Sequence, residues 1–76
     1  MSVKAYILAN VEVGMGEDVI EALSTIEGVK SAQNVTGPYD VIAFVEVPDT
    51  DALGELIITR IQPIEGIAYT LTCVVI

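Results

Sequence analysis

A chain of 76 residues, 53% of them hydrophobic, has room for one domain, residues 1–76, and one core. Eleven acidic side chains against three basic ones give a formal charge of −8, which repels phosphate backbones and anionic lipid, so neither nucleic acid nor a membrane surface is an expected partner. Histidine is absent and cysteine occurs once, which removes Ser-His, Cys-His and histidine-metal chemistry within a single chain and any internal disulfide.

Val3 to Val13 alternate, with Val3, Ala5, Ile7, Ala9, Val11 and Val13 on one side and Lys4, Tyr6, Leu8, Asn10 and Glu12 on the other, which predicts a strand. Gly14-Met15-Gly16 breaks the pattern as a flexible turn. Glu17 to Glu27 then carries Val19, Ile20, Leu23 and Ile26 at helical spacing, with Glu17 and Asp18 at the positive helix end and Gly28 as the stop.

Val29 to Val35 predicts a weaker strand, Thr36-Gly37-Pro38-Tyr39 a turn, and Asp40 to Val47 a strong strand completing a hairpin. Asp49 or Thr50 can cap a second helix that runs to about Gln62, with Leu53, Leu56, Ile57 and Ile61 inward and Pro63 preventing its continuation. Ile67 to Ile76 is the final strand. Ile26-Glu27-Gly28-Val29 after the first helix is echoed by Ile64-Glu65-Gly66-Ile67 after the second, as expected for two βαβ units joined by the hairpin. The fold class is α+β: a ferredoxin-like βαββαβ plait, a four-stranded antiparallel sheet with two helices on one face. No apolar run is long enough to span a bilayer, and Met1-Ser2-Val3-Lys4 enters the strand pattern without a signal-peptide layout, so a cytoplasmic location is expected.

Helices cover only one face of such a plait, yet both faces carry apolar groups here. Val3, Ala5, Ile7, Ala9, Val41, Ala43, Val45 and Val47 suit the side beneath the helices, and Tyr6, Leu8, Ile42 and Phe44 fall on the other. A small domain with no disulfide or metal gains stability by association, and a standard interface covers roughly 800 Å² per partner. A homodimer formed sheet to sheet through Tyr6, Leu8, Ile42 and Phe44 is therefore expected.

Little in the chain suggests catalysis. Cys73 lies in the last strand, where a thiol usually serves as a small core hydrophobe, and no base is recognisable beside it. Gly14-Met15-Gly16 has Val19 where a dinucleotide loop needs its third glycine, and Glu17 and Asp18 crowd the place of a pyrophosphate. Asp40, Asp49, Asp51 and Glu55 match neither an EF-hand nor a carboxylate pair, and capping accounts for Asp49 and Asp51. No catalytic residue, metal site or cofactor is expected. The segment Thr36-Gly37-Pro38-Tyr39-Asp40 combines a sharp turn, a rigid proline, an aromatic wall and a carboxylate; turn chemistry alone accounts for Gly37, Pro38 and Asp40.

Gly37-Pro38-Tyr39-Asp40 followed by Val41-Ile42-Ala43-Phe44-Val45-Glu46-Val47 resembles the G-x-x-D segment and apolar strand of the effector domain of Lrp/AsnC transcription regulators, also called the RAM domain. The likeness runs from Val3-Lys4-Ala5-Tyr6-Ile7 through Glu27-Gly28-Val29 and Ile64-Glu65-Gly66-Ile67 to a threonine-bearing last strand. It implies an isolated effector domain without the helix-turn-helix of full-length regulators, a dimer assembling into an octamer or decamer, and an amino-acid effector bound between dimers. It also implies ligand-binding roles for Gly37, Tyr39, Asp40, Thr70 and Thr72. Asp40 would take an ammonium, while backbone N–H groups and threonine hydroxyls, or Arg60 from a neighbouring subunit, would hold a carboxylate. Three other readings fit the same element order: an architectural partner that co-assembles with full-length Lrp/AsnC regulators without ligand, an ACT-like regulatory domain, and a small plait enzyme of the monooxygenase type.

Overall fold

The computed structural model describes residues 2–76. Its elements are β1 (Val3–Val11), α1 (Gly16–Ser24), β2 (Val29–Asn34), β3 (Val41–Val47), α2 (Thr50–Leu56), which runs on into a π-helical turn (Ile57–Ile61), and β4 (Ile67–Val74). The strands form one antiparallel sheet in the order β2-β3-β1-β4, the ferredoxin-like plait.

Register explains the two faces. Ala5, Ile7 and Ala9 of β1 lie opposite Val45, Ala43 and Val41 of β3, and all six are buried under the helices. Val19 and Leu23 of α1, Ile26 beyond it, and Leu53, Leu56 and Ile61 close the core from above. Alanines at 5, 9 and 43 let the helices approach the sheet, and each buried branched side chain stabilises by about 1.5–3 kcal/mol.

Three elements differ from the sequence expectation, each for a local reason. Strand β1 ends at Val11, not Val13, because its pairing with β4 shifts register between Asn10 and Val11; Val13 is fully exposed. Helix α1 ends at Ser24, not Glu27. There the Ser24 and Thr25 hydroxyls donate to the Ile20 and Ala22 carbonyls, and hydroxyl-to-carbonyl bonds of this kind compete with helix propagation. Strand β4 stops at Val74, although the Val75 N–H still donates to the Lys4 carbonyl at 2.8 Å.

The second helix starts as expected, the Asp49 carboxylate accepting from the Ala52 N–H at 2.8 Å. Its last turn widens, and the Gln62 N–H donates to the Ile57 carbonyl at 2.8 Å. Ile61, eight residues after Leu53, falls on the inward face as expected and is fully buried, while Arg60 beside it is exposed.

Gly54 sits inside α2 with open space where a Cβ would stand. Gly54→Ala is expected to raise stability by about 0.4–1 kcal/mol, because alanine leaves the unfolded chain less freedom to lose. Urea unfolding checks this; an unchanged or lowered midpoint would show that the position is constrained by something other than propensity.

Candidate functional site

The loop from β2 to β3 is tied to the end of β1. The Asp40 N–H donates to the Ala9 carbonyl at 2.9 Å, the Asp40 Oδ2 accepts from the Val11 N–H at 2.9 Å, and the Asn10 Nδ2 donates to the Pro38 carbonyl at 2.9 Å. The β1–β3 pairing ends at Ala9 and Val41, and beyond it the Asp40 carboxylate supplies the acceptor for the Val11 N–H. Its second oxygen has acceptor capacity beyond this contact. Gly37 is exposed at a φ of 128°, and Tyr39 and Asp40 are half-buried.

Thr70 and Thr72 stand elsewhere. They pair with Ala9 and Ile7, which places them on the helix-covered side of β4, half-buried at the sheet edge. Thr70 lines a cleft of about 310 Å³ with Gln62, Ile67, Ala68 and Tyr69; Thr72 does not. The π turn delivers Gln62 to this cleft, where its Nε2 lies 3.4 Å from the Thr70 hydroxyl, a long contact that leaves the amide free to serve another acceptor.

The five residues therefore fall into two groups at one end of the sheet. Asp40 on β3's approach and Tyr69-Thr70 on β4 flank β1 on opposite sides, with the Asp40 carboxylate reaching across to the Val11 N–H of β1. Gln62 is the residue that sequence reading passes over: a polar side chain before Pro63 reads as a helix end, and only the π turn shows where it points.

Cys73 is exposed and lies opposite Tyr6 on the uncovered face, so it is not the core side chain expected from sequence. That face also carries Leu8, Ile42, Phe44, Tyr69 and Leu71, the last two on β4 and not anticipated. Tyr6, Tyr69 and Leu71 are 45%, 57% and 40% exposed, and the Tyr6 and Phe44 rings stack tilted at 5.0 Å. Arg60 lines neither the loop nor the Gln62 cleft; it borders another cleft with Lys30. Among the described residues no cluster of three potential metal ligands exists, and no helix is long and apolar enough to cross a membrane.

Residues 4–76 match the family model described as the Lrp/AsnC ligand binding domain. The crystal structure of FFRP-DM1 superposes with a TM-score of 0.93 at 34% identity, covering 97% of this chain and 99% of that one. A transcriptional regulator of Neisseria meningitidis, solved as a complex with L-Met, superposes at 0.89 and 17% identity; the match covers 97% of this chain and 49% of the regulator, and establishes shared fold. The homocitrate synthase of Sulfurisphaera tokodaii is 38% identical over 58 residues, 76% of this chain. The chain spans only 12% of the length of that enzyme.

Proposed function

This chain belongs to the Lrp/AsnC ligand-binding domain family, and on that premise we propose that it is a non-enzymatic effector-binding and assembly module whose ligand is an α-amino acid. The match occupies residues 4–76 and leaves no second domain within them. The observation that carries the reading is the pairing of an anchored carboxylate loop with a neutral, donor-bearing cleft at the same sheet end. Asp40 suits an ammonium, and the Gln62 amide with the Thr70 hydroxyl suits a carboxylate.

The loop and the Gln62 cleft lie on opposite sides of β1, and the complete site is formed between copies, with the loop of one facing the Gln62 cleft of another. Gly37 and Tyr39 contribute backbone donors and a wall, and Thr72 supports β4 behind Thr70. The uncovered face of Tyr6, Leu8, Ile42 and Phe44, widened by Tyr69 and Leu71, forms the dimer, and dimers assemble further to an octamer or decamer. A ligand of about nine heavy atoms binds with roughly −4 to −8 kcal/mol, millimolar to micromolar, a range suited to sensing metabolite pools in the cytoplasm.

A second reading draws support from the homocitrate synthase, in which a similar segment forms a small part of a longer chain. The module then passes its state to longer chains carrying the same domain, full-length Lrp/AsnC regulators among them, through the same open face.

Native mass spectrometry of the protein with and without the standard amino acids tests the first reading. An assembly that gains a defined amino-acid mass supports it, and an assembly that takes up nothing under any of them overturns it in favour of the second. Asp40→Ala and Gln62→Ala are each expected to weaken uptake by about tenfold, the loss of one charge-assisted bond, while Asp51→Ala leaves it unchanged. Equal effects of all three would remove Asp40 and Gln62 from the site.

A further inference from the structure

At the opposite end of β3 from the Asp40 loop, a cleft of about 480 Å³ opens between the second helix and the start of β2. We propose that it is a second α-amino-acid site, separate from the one described above and independent of it. Lys30 and Arg60, two of the chain's three basic residues, both line it, although the chain carries a net charge of −8. They come from different elements, Lys30 from β2 and Arg60 from the π turn.

The cleft has the three kinds of group that a zwitterion needs. Lys30 and Arg60 are donors for its carboxylate, and Glu27 and Glu55 are acceptors for its ammonium. The Glu46 carboxylate also lines the cleft; its Oε2 accepts from the Ser2 hydroxyl at 2.7 Å, and its other oxygen is a third acceptor on the ammonium side. Buried Val47 and Leu56 form an apolar floor for the side chain. Gly28 keeps that floor open: a Cβ there would stand 3.5 Å from Val47 Cγ1 and 3.8 Å from Leu56 Cδ2. The volume falls within the range of ordinary ligand clefts and accommodates a free amino acid with a bulky side chain. A simple anion would satisfy the two cations while leaving Glu27 and Glu55 repelling it, so the paired charges select a zwitterion.

Amide NMR of the full chain, titrated separately with each standard L-amino acid and with inorganic phosphate, reads the two sites independently. At least one amino acid is expected to shift the Gly28, Val47 and Leu56 amides saturably, and Lys30→Gln to weaken that response by about tenfold without altering the ligand-induced shifts at Gly37, Gln62 and Thr70. No saturable shift at the first set with any amino acid overturns the proposal, and if the second set still responds the site at the Asp40 loop stands. Equal saturation by phosphate, or an unchanged response in Lys30→Gln, overturns it as well.

Discussion

Phe44→Glu is expected to leave the fold intact and to dissociate the assembly, weakening self-association by roughly a thousandfold. Phe44 stands on central strand β3 and is half-buried in the isolated chain, against Tyr6 at 5.0 Å, so a carboxylate there can reach water without entering the core. In a sheet-to-sheet pair the same carboxylate would be enclosed by Leu8, Ile42, Tyr69 and Leu71, while Lys4, on the same side of β1, already stands opposite Glu46. An unpaired charge left in an apolar interface costs about 3–5 kcal/mol, which is a factor of roughly a thousand in a dissociation constant. Sedimentation velocity at micromolar concentration reads the result, with far-ultraviolet circular dichroism as the check on folding. A folded variant that sediments like the parent would show that the open face is not where copies meet.

Gly66→Ala should destabilise the chain by about 2–6 kcal/mol. Gly66 has a φ of 103°, and strain of this kind costs about 1–3 kcal/mol for a residue with a side chain. Its added Cβ would stand 2.9 Å from Met15 Cβ and 3.1 Å from Val19 Cγ2, and overpacking typically costs a further 1–3 kcal/mol. For a domain of this size the midpoint of thermal unfolding should fall by roughly 10–50 °C. Gly14→Ala is the control: its φ of 83° imposes similar backbone strain, but nothing lies within 4 Å of the new Cβ. Two equal midpoints would mean that Met15 and Val19 yield freely and that backbone strain is the whole effect.

The contact at Gly66 also marks where sequence reading loses information. Gly14-Met15-Gly16 reads as a flexible turn because its residues permit one, yet Met15 packs on the core and fixes the approach of the segment before β4. Such tertiary contacts have no local signature. Period-two alternation, by contrast, settled both faces of β1 and β3, since every buried or uncovered position there follows from one register. Alternation failed only at Val13, past the shift at Asn10 and Val11, where the ladder gives way to the Asp40 carboxylate.

In the second helix the spacing of Leu53, Leu56, Ile57 and Ile61 fits a uniform α-helix, so nothing in it marks the π turn or the positions that the turn gives Gln62 and Arg60. The candidate site was legible in part. Turn composition and family likeness pointed to Gly37, Tyr39 and Asp40, but the cleft that receives Gln62 depends on how the π turn meets β4. The exposed place of Cys73 depends on a pairing, Tyr6 with Cys73, that the β4 sequence alone does not reveal.

The three bonds between the Pro38–Asp40 segment and Ala9, Asn10 and Val11 make chain length matter unequally along the molecule. A residue inserted between Val3 and Ala9 would turn Tyr6 and Leu8 inward and Ala5 and Ile7 outward, because each strand position alternates sides. A residue inserted between Thr36 and Gly37, past the Val35 N–H that donates to the Asp40 carbonyl, would only lengthen an exposed loop. Related chains should therefore vary in length before Gly37 and hold a constant count from Val3 to Val11.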